Sequence, residues 1–235
     1  MNLETHIKSN RHSLRKRVSK GKTQKKSNSY VDPKNFRFAA DVEYSAKRGL
    51  DLFLGALIFI AFAIFLPIIA LGIKRSSKGP VLEKQPHTGK HGHIFLCYKF
   101  RTTHTTGNTS LNRQINKSVN PLHFSFGDFL ESSSLKHLPS ILNVLQGEMS
   151  LVGPKSYVVA ECEYWNSVFD DHFYRYFLKP GLFSPALAFD TQEGKSKKYK
   201  VRKRLDVELS YINKNSLLID FKVILKSIKQ NLLGK

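Results

Sequence analysis

The chain is poor in cysteine, with only Cys97 and Cys162 among 235 residues. Two thiols cannot build a disulfide framework or a multi-cysteine zinc site, so a cytosolic compartment is the natural expectation. Carboxylates are scarce as well: 18 stand against 38 lysines and arginines, a formal net charge of +20. Such an excess calls for an anionic partner, either nucleic acid or an acidic membrane surface. There is no Gly-x-Ser-x-Gly elbow and no phosphate-cradling glycine-rich loop, which removes the support for Ser-His-Asp and P-loop chemistry. His87, His91 and His93 fall within seven residues, but only Glu83 stands nearby as a carboxylate, so the cluster reads as a solvated loop and not a metal site.

Hydrophobic residues make up 41%, an ordinary globular share that excludes a wholly disordered chain. The charge is uneven. From Met1 to Lys34 ten lysines and arginines face only Glu4 and Asp32, with almost nothing apolar between them. A segment of that kind buries too little surface to offset the entropy of ordering it, so residues 1–43 read as a disordered basic arm. No apolar stretch follows within the first thirty residues, which argues against a secretory signal.

A single long apolar run is present: 22 uncharged residues from Leu52 to Ile73. As a helix it reaches about 33 Å, comparable with a hydrocarbon core of about 30 Å. Lys47 and Arg48 precede it, Lys74, Arg75 and Lys78 follow it, and so the positive-inside rule assigns no orientation. Pro67, two-thirds of the way along, favours a kink. A simple spanning helix and a kinked helix that enters and leaves on one face both satisfy these features.

Beyond Lys74, Gly79-Pro80-Val81 opens a region of short strands and turns that includes His93 to Tyr98. Thr102 to Asn120 reads as a long polar loop. Helical spacing returns at Leu135, Leu138, Leu142 and Leu145. The last element is a helix of about eighteen residues from Ser216, with Leu218, Phe221, Leu225, Ile228 and Leu232 on one face and Lys222, Lys226 and Lys229 on another. That pattern suits a membrane surface or packing against the rest of the domain equally well.

Several motifs in order then carry a resemblance. Lys47-Arg48, Asp51, the apolar run with Pro67, Ser77-Lys78-Gly79-Pro80-Val81, Lys99-Phe100-Arg101-Thr102, Leu138-Pro139 and the stretch Asn143 to Pro154 resemble the bacterial sugar transferases. These are the monotopic polyprenyl-phosphate hexose-1-phosphate transferases, or phosphoglycosyl transferases. Lys179-Pro180-Gly181 is similar to the family's Arg-Pro-Gly turn, and Tyr211-Ile212, Asn215-Ser216-Leu217 and Asp220 to its closing segment. The resemblance implies an α-rich α/β domain with short strands and amphipathic surface helices. It implies a re-entrant membrane helix over residues 44–78, broken at Pro67, and a cytoplasmic sugar-transferase-like domain over residues 79–235. It also implies a place on the cytoplasmic face of the bacterial inner membrane, against its anionic lipids, at the start of exopolysaccharide or related glycan assembly. In the family a nucleotide-diphosphate sugar gives its sugar-1-phosphate to polyprenyl phosphate. An aspartate attacks, an adjacent glutamate assists and Mg²⁺ neutralises the diphosphate. A covalent intermediate splits the transfer, so the two substrates need not be bound together.

The catalytic stretch departs from the family's Gly-Arg-Phe-Leu-Arg-x-x-Ser-Leu-Asp-Glu-Leu-Pro. Here it reads Gly127-Asp128-Phe129-Leu130-Glu131-Ser132-Ser133-Ser134-Leu135-Lys136-His137-Leu138-Pro139. Lys136 and His137 hold the dyad positions, and Asp128 and Glu131 reverse the charge of two arginines. A protonated lysine has no lone pair for attack and repels a divalent cation, which puts Mg²⁺ in doubt. A carboxylate about 4 Å from a phosphate costs about 4 kcal/mol at an effective dielectric near 20. Lys99 and Arg101 match basic positions of the family's Lys-x-Arg-Ser/Thr motif, which suits them to a phosphate group or to a solvated pair beside a strand. Lys155 and Lys179 replace arginines, keeping charge but losing the bidentate fork. Glu148 matches a family acid and is equally suited to holding a turn.

Three expectations follow. One is a non-catalytic relative acting as partner or regulator of an active sugar transferase. Another is an active enzyme with substituted chemistry at His137. The third is a membrane-surface or nucleic-acid binding protein that works through its basic arm, and the in-register family stretch argues against it.

Overall fold

The computed structural model describes residues 33–104, 124–133, 135–186, 196–214 and 216–233. The arm before residue 33 and most of the expected loop at 102–120 lie outside the described residues. The chain begins with α1 (Pro33–Ser76), a helix of 44 residues. Residues 33–43, expected to belong to the disordered arm, are part of it, where Phe36 to Ala40 join the helix formers that follow. Helix continues through Pro67, which is exposed, so the proline does not interrupt the element.

An antiparallel hairpin follows, β1 (Leu82–Thr88) and β2 (Ile94–Phe100), with Leu82 opposite Phe100 and Thr88 opposite Ile94. Then come α2 (Ser125–Ser132), a 3-10 helix at Leu135–Ser140, and α3 (Ile141–Gln146). The leucine spacing at 135–145 is therefore split between a 3-10 turn and a short α-helix, because Pro139 lacks the N–H that a single α-helix would use. Next are β3 (Ser150–Val152), α4 (Val159–Val168), a 3-10 helix at His172–Phe177 and β4 (Gly181–Phe183), which pairs in parallel with β3. Two helices close the described chain, α5 (Lys197–Lys214) and α6 (Leu217–Leu233). The apolar spacing of the sequence predicts no helix where α5 lies.

Helix α1 is the wall of the core. Its Leu54, Ile58 and Phe59 pack on a cluster of Phe95, Ile141, Val144, Leu151 and Val223. Further along, Phe62, Ile69 and Ile73 join Phe100, Phe124 and Leu130. Both ends of the apolar run are also pinned. Asp51 Oδ1 accepts the Leu151 amide at 3.0 Å, and Arg48 donates to the Val144 and Leu145 carbonyls at 2.6 and 2.8 Å. At the other end Arg101 donates to the Ser77 hydroxyl and carbonyl at 2.8 and 2.9 Å, joining β2 to the exit of α1.

Two close backbone approaches set the Gly-Pro motifs. A Cβ on Gly153 would lie 2.4 Å from the Lys179 carbonyl oxygen, and one on Gly181 would lie 2.1 Å from the Gly153 nitrogen. Only glycine lets β3 and β4 meet there. Asn143 explains the other motif. Buried on α3, it donates to the Leu96 carbonyl and accepts the Tyr98 amide, and Glu148 accepts from its amide nitrogen at 2.6 Å. Glu148 therefore holds the turn after α3, where Gly147 adopts φ +87°.

Candidate functional site

The dyad positions lie on the 3-10 helix that follows α2. Lys136 is fixed by an ion pair: its ammonium donates to Glu131 Oε2 at 2.7 Å, and the Thr102 hydroxyl donates to the same oxygen at 3.3 Å. Desolvation opposes the charged form of Glu131. Lys136, His137 and Thr102 nevertheless hold its carboxyl below the usual carboxylate range. The resemblance implies arginine and aspartate at these positions; here glutamate and lysine make the ion pair. It is a surface contact, worth about 1 kcal/mol or less, and Asp128 on the same helix is exposed.

Beside it sits a basic group. Lys99, buried on β2, donates to Gln85 Oε1 at 2.9 Å and lies 2.9 Å from His87 Nε2. The other ring nitrogen of His87 lies 2.5 Å from the Ser156 hydroxyl. Desolvation, then the charges of Lys99, His137 and Lys155, push His87 down to about 2, and desolvation also lowers Lys99. His87, expected in a solvated loop, is instead a neutral, buried link between β1 and the loop after β3, because Ser156 and Lys99 meet both its ring nitrogens. His137 keeps an exposed edge, yet partial desolvation and the cations Lys99, Lys136 and Lys155 bring it down to about 4. Its imidazole is neutral at pH 7.

Lys155 is the hinge between this group and the rest of the domain. Its backbone N–H donates to Glu208 Oε1 at 2.7 Å and its carbonyl accepts from Arg175 at 2.5 Å. Arg175 and Glu208 form a fully buried pair at 2.9 Å. Nothing in the sequence pattern distinguished these two from surface charges. Apart from His172, three residues from Arg175, their hydrogen-bonding partners are twenty or more residues away, and only folding brings them together.

The remaining candidates lie elsewhere. Arg101 is buried, with its guanidinium donating to Pro80, Ser77 and Thr103, so it braces α1 against β2. Lys179 approaches Gly147 and Arg48 at the C-terminal end of α3, where cations meet the helix carbonyls.

The family model described as bacterial sugar transferase matches residues 42–234. The chain belongs to the bacterial sugar transferase family. The UDP-glucose:undecaprenyl-phosphate glucose-1-phosphate transferase of Escherichia coli (strain K12) is 31% identical over 80% of this chain and 40% of its own length. The protein of the same name from Caulobacter vibrioides is 33% identical over 82% of this chain and 70% of its own. The exopolysaccharide production protein PSS of Rhizobium leguminosarum is 30% identical over 79% of this chain and 94% of its own. Against the Escherichia coli relative, the chain therefore spans well under half of the length.

Magnesium, which the family resemblance implied, does not fit the residues at this site. The dyad positions offer an ammonium and an imidazole, and the Glu131 carboxylate beside them is paired to Lys136. Among the described residues no group of three or more His, Cys, Asp or Glu side chains comes together.

Proposed function

We propose that this family member is a membrane-surface protein that keeps the transferase fold without the usual turnover, and acts as a partner or regulator of an active sugar transferase. The observation that carries this reading is the Glu131–Lys136 pair at the family's nucleophile position. A lysine held in an ion pair offers no carboxylate to attack phosphorus. The sugar-1-phosphate transfer that the resemblance implies thus lacks its attacking carboxylate.

Membrane attachment rests on two exposed apolar stripes. On α1, Phe53, Leu57, Ile60, Ile64, Ile68 and Leu71 point outward at helical spacing. On α6 the outward residues are Leu218, Phe221, Leu225 and Ile228, while Val223 and Asp220 face the domain. The apolar face expected to pack inward or meet lipid is therefore the exposed one. The segment Ser45–Ser76 is long and apolar enough to cross a membrane. Because Asp51 and Ile73 both contact the same globular body, the two ends of the run are held on one side, which supports a one-face attachment at the cytoplasmic leaflet over a spanning helix.

A second reading has His137 as the nucleophile, favoured by its neutral ring among three lysines. Nucleoside monophosphate release separates the two. The purified chain in detergent, with Mg²⁺, polyprenyl phosphate and a panel of nucleotide-diphosphate sugars, is expected to release none above background. The Lys136→Asp, His137→Glu variant is expected to stay inactive too, because Asp128 and Glu131 still oppose the donor. Lipid-dependent release that His137→Ala abolishes would establish the second reading instead.

A further inference from the structure

We propose that α1 lies along the membrane surface, with one face in the lipid and the other on the protein for its whole apolar length, and does not dip into the bilayer and return. The placement deepens the membrane attachment proposed above and rests on it. By composition Leu52 to Ile73 has no charged stripe, so the sequence marks no inner and outer face. Burial marks them. Asp51, Gly55, Phe62, Ile69 and Ile73 are buried, and their recurrence at intervals of four and seven positions makes one seam at helical spacing. The exposed Phe53, Leu57, Ile60, Ile64, Ile68 and Leu71 fall on the opposite side of the helix.

The seam is filled along its length. Leu54 and Ile58 pack on the cluster of Ile141, Val144 and Val223. The Phe62 ring meets the Phe100 ring at 5.7 Å, and Leu66, Ile69 and Ile73 join Phe124 and Leu130. Two glycines let the body come close. A Cβ on Gly55 would stand 3.3 Å from Leu145, and one on Gly72 would meet the Phe126 ring at 2.6 Å. A helix held by the globular body on both sides of Pro67 has no loose middle to send into the bilayer.

The neighbours of that middle limit its depth. Phe100 stands between Lys99 and Arg101 on β2, and Leu130 stands beside Glu131 on α2, near the exposed Asp128. Carrying Phe62 to the bilayer centre carries these charges towards it, where a charged side chain is strongly unfavourable. Pro67 fits a shallow placement as well. It is exposed and cannot donate to the Ala63 carbonyl, a group that water reaches at the headgroup boundary and not in hydrocarbon. The surface that receives the helix is anionic lipid. Lys74, Arg75 and Lys78 are exposed at the exit of the run. Helix α6, whose Val223 shares the cluster under Leu54 and Ile58, sets exposed Leu218, Phe221 and Leu225 beside exposed Lys222 and Lys229.

The experiment places a fluorophore on single cysteines, Phe53→Cys, Ile60→Cys, Ile64→Cys or Leu71→Cys, in the full chain bound to vesicles of phosphatidylethanolamine and phosphatidylglycerol. Cys97 and Cys162 are buried, which directs the label to the introduced thiol. Quenching is compared between lipids that carry the quencher near the headgroup and lipids that carry it near the chain end. All four sites are expected to be quenched more by the shallow quencher. Their shallow-to-deep ratios should agree within about twofold, because a helix lying in the surface sinks only about 5–10 Å along its whole length. A ratio that falls below one at Ile60 and Ile64 and recovers at Phe53 and Leu71 reports a re-entrant helix, and overturns the placement while the membrane attachment stands. A ratio that changes steadily from Phe53 to Leu71 reports a spanning helix and overturns it too. No quenching by either lipid at any site overturns the placement and the membrane attachment together.

Discussion

Glu131 and Lys136 close a surface ion pair at 2.7 Å, and a change of either one alone leaves the other without that partner. The buried histidines carry the other consequence at this scale. His87 and His172 are both pushed down to about 2 by desolvation, His87 also by Lys99 and His172 also by Arg175. Their pKa in the unfolded chain is about 6.5. Below that pH the unfolded chain binds protons that the folded one refuses. Stability is therefore fully present above pH 6.5 and falls as pH drops, by up to about 1.4 kcal/mol per pH unit for each histidine. His172→Gln is expected to flatten the dependence of the urea midpoint between pH 7 and 5. The glutamine keeps a polar group beside Asn166 and Arg175, which contact His172 at 2.7 and 3.1 Å. An equally steep dependence in the variant would refute this account.

Among the elements, the meeting of β3 and β4 is the least tolerant of change. Gly181→Ala puts a methyl group against the Gly153 backbone, which no side-chain rotation relieves. A loss of about 3 kcal/mol or more is expected, measured as a lowered unfolding midpoint in detergent. Gly49→Ala is the control: nothing lies within 4 Å of its added Cβ, and glycine is a poor helix former, so a small gain is expected. A neutral Gly181→Ala would mean that the two short strands do not approach as closely as described.

For the whole molecule, attachment should rest on apolar surface more than on charge. The net charge of +20 attracts anionic lipid, but salt screens that attraction within about 10 Å at 0.1 M. The exposed stripes on α1 and α6 are insensitive to screening. The protein is expected to stay with the membrane fraction in 1 M salt. Ile60→Glu with Ile64→Glu on the outward face of α1 should release a large share of it while the fold persists. Complete release of the unaltered chain by salt would place the attachment in its basic residues.

Much of this was legible along the chain because the signals are local. The short strands showed in the turn residues between them, the long apolar run in its length, α6 in its spacing, and the family in the Asn143 to Pro154 stretch. Those properties depend on neighbours a few positions apart. The sequence by itself also places Lys136 and His137 directly before Leu138-Pro139, where the resemblance implies a dyad. What the tertiary structure decided is what those residues meet: Lys136 closes on Glu131, Arg101 turns inward to brace α1, Lys99 joins His87 and Ser156, and Lys155 faces the lysines of α5. α5 itself carries more charge than apolar patterning. It folds as a helix on Leu205, Leu209 and Ile212, which pack against Phe169, Tyr174 and Phe177. Contacts of that kind join residues distant in sequence, and burial and charge pairing take their energies from the neighbours that folding supplies.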